Sequence, residues 1–161
     1  MEWNMGQNPL NVQALKNSNR ARVLECIRSQ PISRIEISRQ TGLTKSAVTM
    51  LTNEMISEGL LYELGFAEKT ANPGRTSILL DIVADYAYAI GVTLHRRYIG
   101  VCISDLKLSC IAKTQRDIAF FTSADETVQW INSTINALLS QVGIPLSKCV
   151  GIGISSPGPL D

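Results

Sequence analysis

The stretch that decides the fold is residues 33–61, SRIEISRQTGLTKSAVTMLTNEMISEGLL. Ser33 followed by Glu36 has the spacing of a helix capping box, so we expect a helix to begin there. Gly42 tolerates the left-handed backbone conformation at which many helices end. Thr44 then has the character of an N-cap for a second helix. The pattern therefore predicts two short helices joined by a tight glycine turn.

The second helix has two different sides. Its apolar side is predicted to be buried and consists of Val48, Leu51 and Met55. A rotation of about 100° per residue places four other side chains opposite them: Ser46, Thr49, Met50 and Asn53. This opposite side contains no acidic residue. A helix-turn-helix whose second helix carries such a side is the arrangement that enters a DNA major groove.

The segment after this helix has the pattern of a β-hairpin. Leu60–Tyr62 is predicted to be a strand, residues 65–74 a turn-rich tip, and Arg75–Leu80 a returning strand. A hairpin directly after a recognition helix is a wing. Arg75 beside Gly74 would suit a narrow minor groove, where the negative potential is deepest.

The segments before residue 33 complete the predicted first module. A helix is expected from about Ser18 to Ser29, with Ser18 as its cap. It would bury Val23, Leu24 and Ile27, and Ile35 and Ile37 would begin the apolar face of the next helix. Residues 1–16 could form a short amphipathic arm that packs on this module or helps it to dimerise, or they could be disordered.

Charge alone does not attract this chain to DNA. Residues 1–80 hold nine Lys and Arg against seven Asp and Glu, and residues 81–161 hold six against seven. Specific binding would therefore need dimerisation, local positive charge on the DNA side, or both. The expected phosphate contacts are Arg34, Arg39, Lys45 and Arg75, although each could equally be a solvated surface side chain.

Composition excludes several classes of protein. With 161 residues and 45% hydrophobic content, the chain is expected to fold as one ordinary domain or two small ones. The longest apolar run, residues 78–94, is interrupted by Asp81 and Asp85, so no membrane span is expected. The first eight residues lack the pattern of a secretory signal, which predicts a cytoplasmic location.

No metal site or cofactor is predicted. The four cysteines, Cys26, Cys102, Cys110 and Cys149, have no CxxC spacing and are expected to be buried free thiols. His95 stands apart from any cluster of acids or cysteines in the sequence. It is expected in a loop or on the surface.

The second half has the pattern of a small mixed sheet. Residues 86–94, 98–104 and 108–118 are predicted to form a three-stranded antiparallel meander whose third strand lies at an edge. Ser123 or Asp125 would cap a helix whose apolar stripe is Val128, Ile131, Ile135, Leu138 and Leu139. Residues 149–155 would return as a strand parallel to the first of the meander.

Taken in order, these motifs resemble the N-terminal part of a ROK-family transcriptional repressor. The winged helix-turn-helix, Pro73-Gly74-Arg75 at the wing, the meander, and GIGISSPGPLD at residues 151–161 all match. The resemblance implies an α+β chain: a winged helix-turn-helix followed by part of an actin/hexokinase-like α/β domain. The expected divisions are an arm at 1–16, the DNA-binding domain at 17–82 and a truncated ROK domain at 83–161.

The resemblance also implies a function. Members of this family repress sugar-utilisation genes, and many respond to a sugar or sugar phosphate bound in the ROK domain. We expect a homodimer or higher oligomer on a double-stranded DNA operator. The expected DNA contacts are Arg34, Thr44, Lys45, Ser46, Thr49, Met50, Asn53, Gly74 and Arg75. Pro157 and Gly158 could belong to a sugar site, but a sugar effector is expected only if the rest of the ROK domain is present.

Two other functions stay open. A ROK-type sugar kinase carries an Asp-x-Gly-Gly-Thr turn for nucleotide phosphates, where this chain has residues 93–97, TLHRR. The large side chains would fill the space that a phosphate needs, so no enzymatic activity is expected. The alternative without DNA is a winged helix that binds another protein. The sugar-contacting acids and zinc motif of the family would lie beyond residue 161, so we expect the chain to be a truncated or proteolytic form.

Overall fold

The computed structural model of the chain describes residues 9–66, 77–120 and 123–157. The chain divides into two compact units, Met1–Val83 and Ala84–Asp161. Each unit has its own sheet and its own buried apolar side chains, and each is described separately below.

The described residues of the first unit form three helices and a three-stranded antiparallel sheet. Its elements are α1 (Pro9–Arg28), β1 (Ile32–Ser33), α2 (Arg34–Thr41), α3 (Lys45–Ser57), β2 (Leu61–Phe66) and β3 (Ile78–Ile82). The strand order is β1-β3-β2. The fully buried apolar side chains come from all three helices and from the sheet: Val23, Ile27, Ile37, Val48, Met55, Leu61 and Leu80.

The predicted helix-turn-helix is confirmed down to its end residues. Ser33 is the N-cap of α2, and its hydroxyl accepts a hydrogen bond from the backbone N–H of Glu36 at 3.3 Å. The carboxylate of Glu36 accepts from the side chains of Arg39 and Gln40. Gly42 ends α2 with φ +70°, and its N–H donates to the carbonyl of Ser38 at 3.0 Å. Only a residue that tolerates left-handed backbone can make this turn.

Two expectations for the helices are wrong. α1 begins at Pro9, so Ser18 lies inside the helix and is not its cap. Proline is compatible with a first helical turn because its missing N–H has no intrahelical acceptor there. Ile35 was expected on the apolar face of α2, but it is 59% exposed. The buried face of this eight-residue helix consists of Ile37 and Thr41, which are one turn apart.

The strands of the predicted wing pair as a hairpin. β2 and β3 are in register from Leu61 opposite Ile82 to Phe66 opposite Ile78, with an irregularity between Glu63 and Gly65. Gly65 has φ +112°, which favours glycine at this bulge. The hairpin tip, including Gly74 and Arg75, lies outside the described residues.

The second unit is a four-stranded mixed sheet with one helix. Its elements are β4 (Tyr88–Leu94), β5 (Tyr98–Asp105), β6 (Cys110–Asp117), α4 (Ala124–Val142) and β7 (Cys149–Ser155). The strand order is β6-β5-β4-β7, in which β4 pairs antiparallel with β5 and parallel with β7. The predicted meander with β6 at an edge and a parallel return strand is thereby confirmed.

α4 packs on one face of this sheet. Ser123 is its N-cap, and Gly143 ends it with φ +69°. The core lies between α4 and the two central strands β4 and β5: Ile90, Val101, Ile103, Ile135, Leu138 and Leu139. The expectation for Val128 is wrong, because this residue of the predicted stripe is 54% exposed near the helix N-terminus.

The cysteines are free, as predicted, but they are not fully buried. Cys26, Cys102 and Cys149 are half-buried, and Cys110 is exposed. Desolvation raises the pKa of the Cys26 and Cys149 thiols, so both stay protonated at neutral pH. Among the described residues, no group of three or more His, Cys, Asp and Glu side chains could hold a metal ion. Within the same ranges, no helix combines the length and the apolar character needed to cross a membrane.

Candidate nucleic-acid interface

The candidate interface is built on the exposed side of α3. Thr44 is the N-cap, and its hydroxyl accepts from the backbone N–H of Ala47 at 3.2 Å. The hydroxyls of Thr44 and Ser46 are 3.1 Å apart. Two hydroxyls therefore lie at the positive end of the helix dipole, where an anion such as a phosphate is stabilised.

The two sides of α3 are separated as the sequence predicts. Val48 and Met55 have no exposed surface, and Leu51 is 2% exposed. The opposite side is exposed at all four predicted positions: Ser46, Thr49, Met50 and Asn53. Met50 is 58% exposed, which is unusual for a side chain that gains from burial.

One of these side chains has a defined orientation. The hydroxyl of Thr49 donates to the carbonyl of Lys45 at 2.8 Å. Its proton is therefore used within the helix. What Thr49 presents outward is an oxygen acceptor and a methyl group, and a methyl group can pack against the C5-methyl of thymine.

Glu54 of α3 and Glu58, the C-cap of this helix, are paired with cations of α1. Lys16 Nζ lies 2.7 Å from Glu54 Oε1. Arg20 contacts Glu54 at 3.6 Å and also forms an ion pair with Glu58. The hydrogen bond from Arg20 lowers the pKa of Glu58 below its usual range. These pairs offset the negative charge at the C-terminal end of α3.

The predicted phosphate contacts differ in their surroundings. Lys45 is exposed at the start of α3. Arg39 pairs with Glu36 at 2.7 Å, and its side chain is 78% exposed. Both can move toward a phosphate at little cost, because surface ion pairs of this kind contribute little to stability.

Arg34 is held more firmly. Its Nε donates to Thr52 Oγ1 at 3.0 Å, and its Nη2 donates to Asn53 Oδ1 at 3.1 Å and to Glu63 Oε1 at 3.0 Å. The side chain is 22% exposed. One guanidinium thus connects α2, α3 and β2.

The remaining predicted site residues lie elsewhere. Gly74 and Arg75 are outside the described residues, and so is Gly158. Pro157 is exposed two residues after the end of β7. The nearby Ser155 hydroxyl lies 3.3 Å from that of Thr93 on β4, as expected where parallel strands end at one edge.

The turn that replaces the phosphate-binding turn of kinases is a closed hairpin. The N–H of His95 donates to the carbonyl of Tyr98 at 2.9 Å. The His95 ring stacks on the Tyr98 ring with centroids 4.6 Å apart. The N–H of Arg97 donates to His95 Nδ1 at 3.3 Å. Two of the N–H groups that could face a phosphate here are therefore used within the turn.

Comparison with known proteins supports a DNA-binding first unit. Residues 20–65 match the family model described as the IclR helix-turn-helix domain. This range contains α2, α3 and the C-terminal part of α1, so it includes the whole exposed side of α3.

Curated relatives extend the similarity over both units. The chain is 27% identical over 137 residues to the xylose repressor of Bacillus subtilis, covering 85% of this chain and 35% of that protein. It is 28% identical over 152 residues to the transcriptional dual regulator NagC of Escherichia coli, covering 94% of this chain and 37% of that protein. The chain therefore spans little more than a third of the length of these relatives.

A solved structure shares the fold. A ROK-family transcriptional regulator, a homologue of the E. coli Mlc protein, superposes with a TM-score of 0.63 at 24% identity, covering 89% of this chain and 36% of that one. The matched family model and the shared fold show that the first unit contains a helix-turn-helix domain. The resemblance to the N-terminal part of ROK-family repressors is confirmed.

The sequence did not predict the contacts that Arg34 makes within the protein. Arg34 was expected beside phosphates, and that role is untested. Its partners Thr52 and Glu63 lie 18 and 29 residues away along the chain. The sequence offers one signal for these contacts. Thr52 stands between Leu51, which is predicted to be buried, and Asn53, which is predicted to be exposed. A hydroxyl group at the edge of the core needs a hydrogen-bond partner.

Proposed function

We propose that this chain is the DNA-binding part of a sequence-specific transcriptional repressor. The observation that carries the proposal is the exposed side of α3, whose four side chains are all uncharged. The one acid of α3, Glu54, is half-buried and paired with Lys16 of α1. A surface selected only for solubility would be expected to carry charge there. A surface that enters a major groove excludes acids because phosphates flank it.

Roles follow from the position of each side chain. Ser46, Thr49, Met50 and Asn53 contact base edges, with Met50 and the Thr49 methyl against thymine methyl groups. Thr44 and Lys45 contact phosphate at the start of α3. Arg75, next to Gly74 in the wing, enters the adjacent minor groove.

Dimerisation would supply the affinity that the small net charge does not. Two chains would place two α3 helices in successive major grooves about 34–36 Å apart, on a palindromic operator. We propose that the boundary between the DNA-binding domain and the ROK part lies at residues 82–83, as expected above. The expected start of the DNA-binding domain at residue 17 would cut α1, so the proposed domain includes the whole of this helix. The protein would act in the cytoplasm.

The regulated genes are proposed to be those of sugar utilisation. Two relatives are named a xylose repressor and an N-acetylglucosamine repressor. A sugar or sugar phosphate would act on a longer form that contains the rest of the ROK domain, with Pro157 and Gly158 at the edge of its site. The names of these relatives and the closed turn at 95–97 favour a regulator over a sugar kinase.

The test is selection of random-sequence duplexes with the 161-residue chain, followed by salt titration on the best duplex and on a scramble of it. We expect a palindromic site bound about a hundredfold or more above the scramble. Equal and weak binding to both duplexes would contradict the proposal. Salt-independent capture of a protein partner without DNA affinity would favour the winged-helix interaction module instead.

A further inference from the structure

The contacts of Arg34 determine the orientation of one residue on the exposed side of α3. The guanidinium is a planar fork whose Nε and Nη2 point in fixed directions. Nε is held by Thr52 Oγ1 at 3.0 Å, and Thr52 is fully buried. The Thr52 hydroxyl in turn donates to the carbonyl of Thr49 at 3.2 Å, so its own orientation is fixed. The fork therefore has little freedom to rotate.

The atom of Asn53 that faces this fork follows from chemistry. A guanidinium carries only donors, so the side-chain atom of Asn53 at 3.1 Å from Arg34 Nη2 has to be the oxygen. A flipped amide would set two N–H donors against each other. With Oδ1 turned toward Arg34, the Nδ2 donors of this exposed residue face away from Arg34.

The positive charge of Arg34 is offset within the protein. Its Nη2 lies 3.0 Å from Glu63 Oε1 on β2. Three of the five N–H donors of Arg34, one on Nε and two on Nη2, have acceptors within the protein. A phosphate would therefore have to compete with Glu63 for this guanidinium. Lys45, which is exposed at the start of α3, is in a different situation.

We propose that Arg34 is a positioning residue for base recognition. It holds the Asn53 amide so that Nδ2 donates to DNA, which selects a base with a hydrogen-bond acceptor on its major-groove edge, such as O6 or N7 of guanine or O4 of thymine. Cytosine, which offers only its N4 donor there, is rejected. This inference rests on the DNA-binding function proposed above.

The first test compares Arg34→Lys with wild type on the selected duplex and on its single-base variants. Lysine keeps the charge but lacks the planar fork. We expect the preference at one base pair to fall roughly tenfold, with preferences at the other positions unchanged. Arg28→Lys, on α1 and paired with Glu25, is the matched control and should leave every preference unchanged.

A double-mutant cycle shows whether Arg34 acts through Asn53. Asn53→Ala should remove the preference at the same base pair, and Arg34→Lys should have no further effect on it in the Asn53→Ala background. Two independent losses at different base pairs would overturn the proposal.

Arg34→Gln gives a second check, since a direct phosphate contact would lower affinity for all duplexes and reduce the salt slope by about one. That result would also overturn it.

A measurement without DNA separates this inference from the proposed function. Nuclear magnetic resonance relaxation of the Asn53 side-chain amide should show an ordered group in wild type and a mobile one in Arg34→Lys. Equal order in both would refute the role of Arg34 even if the protein binds DNA selectively. If the amide is ordered but no duplex is selected, the result contradicts the proposed DNA-binding function. It then also contradicts base recognition by Asn53.

Discussion

Lys45 shows how a single residue can be assigned to phosphate or to bases. It is exposed at the start of α3, beside the hydroxyls of Thr44 and Ser46. A lysine there is a mobile point charge, which suits a phosphate rather than a base edge. Its contribution should therefore be the same for every DNA sequence.

For Lys45→Ala we expect weaker binding to the selected duplex and to its scramble by the same factor. The slope of log affinity against log salt should decrease by about one. Titration by fluorescence anisotropy at several salt concentrations measures both. Lys113→Ala, on β6 in the second unit, removes the same charge and should leave the slope as in wild type. A loss confined to one base pair would contradict the assignment of Lys45.

At the residue scale, the sequence predicted the positions of capping and turn residues better than it predicted contacts between residues far apart in the chain. The caps Ser33 and Thr44 and the turn residue Gly42 were predictable because each acts on backbone within three or four residues. The fork of Arg34 was not, because its acceptors come from α3 and β2. Contacts between elements depend on packing, which no local pattern encodes.

At the scale of elements, ion pairs connect α1 to the end of α3. Arg20 lowers the pKa of Glu58, so the ionised carboxylate is favoured in the folded state. A group with a lowered folded pKa stabilises the fold above its unfolded value, near 4.5. That stability is lost as the pH falls through the folded pKa.

Glu58→Gln should therefore be less stable than wild type at pH 7, and the difference should vanish in acid, as the pH falls below the folded pKa of Glu58. The side chain of Glu58 is 41% exposed, so the effect is small, below about 1 kcal/mol. Urea unfolding at a series of pH values measures it. Salt at 1 M should reduce the difference at pH 7 by screening. A difference that stays constant down to pH 3 would show that the ion pair is not its source.

The turn between β5 and β6 contains a strained residue. Leu108 has φ +62°, a conformation that side chains without special hydrogen bonding avoid. Asp105 holds the turn by accepting from the N–H groups of Lys107 and Ser109 at 2.9 and 2.8 Å. Leu108 is 60% exposed, so it gains little from burial in return.

Leu108→Asn should raise the free energy of unfolding by roughly 0.5–1 kcal/mol, because asparagine tolerates left-handed backbone. Thermal unfolding followed by circular dichroism would detect this. Leu146→Asn is a matched control, since Leu146 is also 60% exposed but lacks a positive φ. If both variants changed stability equally, exposure rather than backbone strain would be the cause.

The elements themselves were largely predictable, with errors at ends and on partly covered faces. The period of apolar residues predicted α3 and α4, and alternation of β-formers predicted the meander. α1 was expected to begin nine residues later than it does, at Ser18 rather than Pro9, because Ser18 has the character of an N-cap and residues 1–16 were interpreted as a separate arm. Val128 has the right spacing for burial but lies where the sheet offers no cover.

At the scale of the whole molecule, the second unit exposes an apolar groove. It has a volume of about 540 Å³ between α4 and the sheet. Its lining includes Val128 on α4 and Ile152 and Ile154 on β7, which are 54, 55 and 67% exposed. Contiguous exposed apolar surface of this kind binds hydrophobic molecules and promotes association.

Ile154→Thr should lower the fluorescence of a bound hydrophobic dye such as ANS. Threonine keeps the β-propensity of the strand while replacing part of the apolar lining with a hydroxyl. Val150→Thr is the control, because Val150 is 71% exposed on the same strand but does not line the groove. Equal loss of fluorescence in both variants would place the dye elsewhere.

The central claim is that the exposed side of α3 enters DNA, and Ser46→Glu tests it most directly. Glutamate in the first turn of a helix suits the helix dipole, so the fold should keep its stability, while a carboxylate would face the phosphates. We predict that affinity for the selected duplex falls at least a hundredfold, and that Ser18→Glu, an equal charge change on the exposed side of α1, has little effect. Undiminished binding by a folded Ser46→Glu protein would contradict the account.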